Sequence, residues 1–565
     1  MKTLFFIFKT ILYTFIFIGI FNSSYSKVSE FNYDAKSISN YFSGLIYFDD
    51  LDYSKSEKVF KKLDNFEEKS TKYSSKFIHS LIHLGKYNEA YKYSKKLEKK
   101  NIANFESNLF LGLYEFKAEN YLKSKFYFDK LENNFSHQII FDILKTSLNS
   151  WTELAQSKEK EKIKLIDMSN PGYKNIVSIQ KVFAHCYIGS VDTEQNFKKI
   201  IENEKSNFSR YSFFFANYLL NNNKRTESVE FINLASKKYP GNLLINQFKK
   251  NLNNKEKNKI KFDCTNSSDV MGEIFYIFAN ALSSQRDYKL SNFYISLSKF
   301  LNPNFLSYDA LLAENFFDLK KMNSAKEIYK RISKLGSTYK WYAAKKISVI
   351  MDEEDKDSVN FLSKSYREIE PNVYEVFDFA NFLRGKEDYK KSIELYSDLL
   401  LKINKNHELY PKILERRGMA YERSDKWHLA EKDLLNSLEA FPKEAYVMNY
   451  LAYSWVEKNK NIEKALEMLR EANQIRKHDG YITDSLGWAL YKLKNFPEAQ
   501  KYLEKAIILM PQDPVVNDHF ADCLWMNNYK IQARYYWNNV LSLEKADKEL
   551  KEKVERKLLF GPQGT

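Results

Sequence analysis

The sequence predicts an all-α chain, a right-handed superhelical solenoid of antiparallel helix hairpins stacked one on the next. Three observations carry this. Tyr53, Tyr87 and Tyr121 stand 34 residues apart, and Leu63, Leu97 and Leu131 keep the same step, so one structural unit recurs at a fixed period. Glycine and proline are scarce, at 15 and 10 of 565 residues, which leaves room for long uninterrupted helices. Apolar residues make up 44% of the chain beside a mean hydropathy of −0.54, the balance of helices that bury one stripe and solvate the rest. Such a composition excludes long disorder. Length alone would suggest several globular domains, but a solenoid escapes that rule because each repeat packs only on its neighbours.

Counting the first residue of each unit as position 1, close packing of two antiparallel helices wants small residues at positions 8 and 20, a large one at 24 and a small or apolar one at 27. The unit from Gly480 supplies Gly487, Ala499, Leu503 and Ala506, with Phe496 at position 17 and Pro511 at 32. The unit from Pro411 supplies Gly418, Ala430, Leu434, Ser437 and Pro442, and that from Gly272 supplies Ala279, Ser291, Ile295, Ser298 and Pro303. These spacings resemble the tetratricopeptide (TPR) repeat. Further units start near Ser37, Thr71, Phe105, Ser209, Leu306, Val373, Ala445 and Pro514, which makes eleven. The stretches 141–208, 243–271 and 335–372 read as helical but match the spacing poorly.

The expected organisation follows. Residues 1–26 read as a secretory signal: Lys2 and Lys9 form the basic start, Ile11 to Phe21 the apolar core, and Ser24-Tyr25-Ser26 the small-x-small cleavage site. An uncleaved membrane anchor is the alternative. An N-terminal array is expected over 27–248, a polar Lys/Asn-rich connection over 249–271, a C-terminal array over 272–543, and a charged capping helix and tail over 544–565. Removal of the signal leaves 86 basic against 73 acidic residues, a net +13. Acids and bases alternate along the helices, as solvated faces do, so no nucleic-acid partner is expected. The cysteines, Cys186, Cys264 and Cys523, form no C-x-x-C and read as small core residues. One bridge in an oxidising compartment stays open, its pairing undetermined.

The C-terminal third carries more than generic repeat spacing. It reads MNYLAYSW at Met448 to Trp455, KALEMLREA at Lys464 to Ala472, DGYITDSLGWALYKL at Asp479 to Leu493, PVVNDHFADCLW at Pro514 to Trp525 and ARYYWNNVL at Ala533 to Leu541. Together with DVMGEIFYIFA at Asp269 to Ala279, these segments resemble a family of secreted or periplasmic TPR proteins of alphaproteobacteria. The resemblance covers about 272–558 and is looser over the N-terminal array. It implies an architecture, a compartment and a role as an envelope scaffold, and it names no ligand.

Positions 2, 5, 9, 12 and 13 of each first helix face the inner surface by helical geometry. In the last three units these include Tyr446, Asn449 and Tyr453, then Tyr481, Asp484, Trp488 and Tyr491, then Asp518, Asp522 and Trp525. Rings that supply rigid contact area, with a few polar groups to orient a chain, suit a peptide groove. Packing between neighbouring first helices is the other reading of the same rings. Asn217, Asn280 and Asn381 each follow Phe-Ala at position 9, where a carboxamide can hold a peptide backbone. An interhelical hydrogen bond is the alternative. Position 5 of those units holds Phe213, Tyr276 and Phe377 rather than lysine, which argues against capture of a terminal carboxylate.

His79 and His83 form an i,i+4 pair, but no glutamate stands between them, so no metal site is expected. The chain holds no G-x-S-x-G, no H-E-x-x-H and no phosphate-cradling glycine loop. Neither a cofactor nor catalysis is expected. The sequence thus points to a non-catalytic scaffold or adaptor that binds a protein or peptide of the cell envelope. A glycan-binding module in envelope assembly or export is the rival, since aromatic and acidic grooves also suit sugar rings.

Overall fold

The computed structural model describes residues 35–562, apart from 64, 133–137, 169, 204–206 and 257. The signal reading at 1–26 lies outside the described residues. Among those residues all regular structure is helical. Every unit marked by the spacing is a two-helix hairpin, from Thr71–His83 with Tyr87–Lys99 to Pro514–Met526 with Lys530–Ser542. The poorly matching stretches are helical as well, with Gln138–Ser157, Lys174–Tyr187, Leu243–Asn253 and Ser358–Arg367 among their elements. The fold is a TPR solenoid.

Two recurring backbone details explain why the period is kept. Position 15, just past the first helix, is left-handed in all eleven units, from Leu51, Gly85 and Glu119 to Lys494 and Asn528. A left-handed residue there stops the helix and turns the chain into the hairpin. Position 20 lies against position 8 so closely that four serines donate their hydroxyls across the gap. Ser56 Oγ bonds the carbonyl of Gly44 at 3.0 Å, Ser124 that of Gly112 at 2.9 Å, Ser228 that of Ala216 at 2.7 Å and Ser291 that of Ala279 at 2.7 Å. A side chain at Gly487 would meet Leu503 Cγ at 2.6 Å. Small residues at these places are therefore a packing requirement.

The described residues divide into two compact units, one ending at Ile350 and one starting at Met351. The polar stretch 249–271 lies inside the first. There Cys264 is bonded to Cys186, with a Cα–Cα distance of 5.8 Å, while Cys523 stays free and buried.

In the first unit the inner face of the early hairpins is filled by the chain itself. Phe293, on Tyr288–Leu301, stacks on His79 at 3.7 Å, and Ser296 Oγ lies 2.9 Å from His83 Nδ1. Phe300 packs on Tyr87 and Phe110 at 4.8 and 5.1 Å under the ammonium of Lys117. The two histidines suggested by the sequence are therefore packing residues. Burial lowers the pKa of both, as it does for any cation-forming group drawn out of water.

In the second unit the core runs on from repeat to repeat: Leu451, Leu469, Leu486, Leu503, Val516 and Trp537 are all buried in one apolar cluster. Each such side chain contributes about 1.5–3 kcal/mol on burial, which ties successive hairpins into one stack. The closing helix is Lys548–Phe560, and Val554 is its buried anchor.

Candidate functional site

In the second unit the first helices of successive hairpins, Val373–Gly385, Tyr410–Glu422 and Ala445–Glu457, line a groove of about 1360 Å³ that ends at Tyr481. Its lining takes in the inner positions Phe377, Asn381 and Arg384, then Lys412, Glu415 and Met419, then Tyr446 and Asn449, together with the 405–408 loop and Ser437, Ala440 and Phe441 at the end of a second helix. Tyr446 and Tyr481 are 47% and 58% exposed, so their rings offer contact area at the mouth. Tyr446 donates its hydroxyl to Asp479 Oδ2 at 3.1 Å, which fixes the ring. Asn381 Oδ1 accepts from Tyr396 at 2.7 Å, leaving the amide nitrogen side of this carboxamide for other partners.

Two side chains that line this groove each carry a polar atom buried with no hydrogen-bond partner among the described residues, Asn449 Oδ1 and Arg384 Nε. One is an acceptor and the other a donor, the pair of functions that an extended peptide backbone satisfies. Unpaired buried polar atoms are costly, so a segment whose entry turns these two side chains toward it gains both bonds. The charges are mixed. Arg384, Lys405, Lys412 and Arg416 face Glu408, Glu415 and Glu444. The Glu415 carboxyl is raised by burial, with Arg416 drawing it back and Glu444 adding to the rise. A groove of this balance does not select a polyanion.

The remaining predicted residues lie elsewhere. Asp484, Trp488 and Tyr491 sit in a buried cluster around His519. His519 Nδ1 lies 2.8 Å from Asp484 Oδ2, its ring stacks on Trp488 at 3.9 Å, and Trp488 stacks in turn on Tyr491 at 4.7 Å. Trp488 Nε1 donates to Glu457 Oε1 at 2.6 Å. Burial alone would lower the His519 pKa, but the charge and hydrogen bond of Asp484 outweigh it and raise the group. Tyr453 borders the cluster, and its hydroxyl is pushed up by burial and by Glu457. These aromatics take the packing role that was the alternative reading of the sequence.

Asp518, Asp522 and Trp525 are covered by the closing helix. Lys557 Nζ donates to both oxygens of Asp518 and to Asp522 Oδ2, each at 2.8 Å. Trp537 Nε1 donates to the other oxygen of Asp522 at 3.1 Å. Burial and then Asp518 push the Asp522 carboxyl up, against the pull of Lys557. Gly561 lies so close to the Trp525 indole that a side chain there would sit 2.7 Å from the ring.

The three asparagines part company. Asn217 is buried and donates to the carbonyl of Phe262 at 2.8 Å, so the backbone it holds is its own chain's. Asn280 is exposed at the rim of a cavity in the first unit, and Asn381 lines the groove of the second. Sequence reasoning missed Arg384, Lys412, Glu415 and Met419. The signal for them was present, since they occupy inner positions 12, 2, 5 and 9 of the units at Val373 and Pro411.

A tetratricopeptide-repeat family model matches residues 484–513, within the hairpin that starts at Gly480. TPR repeat-containing protein PA4667 of Pseudomonas aeruginosa is 28% identical over 103 residues, 18% of this chain, and the chain spans only 18% of that relative's length. Among solved structures, the APC/C hetero-tetramer Cut9-Hcn1 aligns over 92% of this chain and 90% of its own at 12% identity and a TM-score of 0.34. Pseudomonas aeruginosa pilF aligns over 33% of this chain and 84% of its own at 16% identity and a TM-score of 0.29. What the chain shares with known families is thus the tetratricopeptide repeat, matched at the hairpin from Gly480.

Proposed function

We propose that this protein is a non-catalytic scaffold that binds an extended segment of a cell-envelope protein in the groove between Phe377 and Tyr481. The observation that carries this reading is the unmatched pair in the groove, Asn449 Oδ1 and Arg384 Nε, flanked by the exposed rings of Tyr446 and Tyr481. Export to the periplasm or beyond, after cleavage behind Ser26, is part of the proposal. The Cys186–Cys264 bridge supports it, because disulfides persist in oxidising compartments. Among the described residues no helix is long and apolar enough to cross a membrane.

The test places a photo-crosslinking amino acid at Tyr446, Tyr481 or the exposed outer residue Lys501 of the tagged protein in its native cells, with captured species read by mass spectrometry. One defined protein joined through Tyr446 and Tyr481 but not Lys501 is the expected result. Equal capture at all three positions, or capture of glycan alone, would sink the groove assignment.

A further inference from the structure

The first unit holds a second concavity, separate from the groove, of about 550 Å³, within the range of small-ligand pockets. At its centre Arg210 makes a bidentate pair with Glu273, Nε to Oε1 at 2.6 Å and Nη2 to Oε2 at 2.8 Å. Both oxygens of Glu273 are therefore engaged, and the guanidinium charge is cancelled where it stands. The Tyr276 ring lies under that guanidinium at 3.9 Å. Among the described residues the hydroxyls of Tyr211 and Tyr276, the Nη1 group of Arg210 and the carboxamide of Asn280 have no hydrogen-bond partner. All four residues line the cavity.

We infer that this cavity is a binding site for a neutral sugar unit. The argument rests on what the lining offers and what it withholds. A phosphate or carboxylate needs uncompensated positive charge, and Arg210 has none to give because Glu273 holds it. A cationic ligand finds Glu273, the only lining carboxylate among the described residues, already paired. What remains are neutral or charge-balanced hydrogen-bonding groups: two phenols, one guanidinium edge and a carboxamide that both donates and accepts. Sugar hydroxyls are donors and acceptors at once, so they match this set. The rings of Tyr211 and Tyr276 are themselves packed, the first among Phe183, Phe208 and Phe214 and the second between Arg210 and Tyr308, so the two phenols enter the match through their hydroxyls, held in fixed positions. A compact pocket of this volume holds one or two rings rather than a length of peptide. The inference is independent of the groove in the second unit.

The test titrates the full chain with cellobiose, maltose and N,N′-diacetylchitobiose, followed by saturation-transfer NMR and calorimetry, with inorganic phosphate as the anionic counter-probe. At least one sugar is expected to bind, and about tenfold weaker binding is expected on Tyr276→Phe, which removes one hydroxyl and keeps the ring on Arg210. Asn280→Ala, at an exposed position where folding is not at stake, is expected to weaken the same sugar to a similar degree. The inference is overturned if none of the three sugars binds, if phosphate competes for the site, or if both variants bind as tightly as the unaltered protein.

Discussion

His519 shows how a single side chain sets a solution property of the second unit. It is buried between Asp484, 2.8 Å away, and the face of Trp488, so its protonated form gains both an ion pair and a cation–π contact. Its pKa is raised in the folded chain. A group raised in this way contributes stability below its unfolded value, about 6.5, and loses it as the pH rises through the higher folded value. Asp522 acts in the same sense, since its carboxyl is also raised and its preference for the proton is lost as the pH climbs above the ordinary carboxylate range. The stability of the second unit should therefore fall from mildly acid to alkaline pH, while the lowered His79 and His83 act in the opposite sense in the first. In thermal melts between pH 5 and 9, His519→Asn should be less stable than the parent at pH 5 and show a flatter profile. A variant whose curve runs parallel to the parent's would show that His519 does not carry the dependence.

At the scale of an element, the closing helix Lys548–Phe560 does more than present a polar end. Asp547 caps it by accepting from the Leu550 amide at 2.8 Å, and Val554 anchors it on the last hairpin. Lys557 then reaches across to two buried carboxylates. Removing that ammonium leaves both acids without their main partner in a poorly solvated place. Lys557→Ala should cost about 3–5 kcal/mol of stability, the range for breaking a buried ion pair by removing one partner. Hydrogen exchange should speed up first across the closing helix and the Lys530–Ser542 helix beneath it. Loss of less than about 0.5 kcal/mol would mean that the pair is solvated like an ordinary surface bridge.

At the scale of the whole molecule, the two units treat their inner surfaces differently. In the first, the Tyr288–Leu301 helix fills the inner face of the early hairpins, so that face is core. In the second, the inner face between Phe377 and Tyr481 is open, and the binding proposal falls there. The first unit is also cross-linked by Cys186–Cys264, which closes a loop with a sequence separation of 78. A loop of that length restricts the unfolded chain enough to contribute about 2–5 kcal/mol. The double variant Cys186→Ser with Cys264→Ser should therefore melt at lower temperature, and added reductant should bring the parent down to the same midpoint while leaving the variant unmoved. A parent that ignores reductant would show that the bridge is not formed in solution.

The hairpins were readable from the sequence because they are local. The contacts between positions 8 and 20, such as Gly112 with Ser124, span 12 residues, and the turn at position 15 depends on its immediate neighbours. A period of 34 residues therefore carries the helix pairs, their order and the inner positions of each. Burial of those positions was not readable. Whether Trp488 meets a ligand or His519, whether Asp518 faces water or Lys557, and whether Cys186 finds Cys264 depend on residues 31 to 78 positions away. The packing of Phe293 on His79 spans more than 200. Such pairs are set by how small rotations accumulate from one hairpin to the next, a sum that no single repeat encodes. By itself, the sequence determined the fold class and the eleven hairpins, because short-range sterics and helical periodicity decide those. Only the tertiary structure decided which inner face is core and which is groove, because that choice belongs to long-range packing.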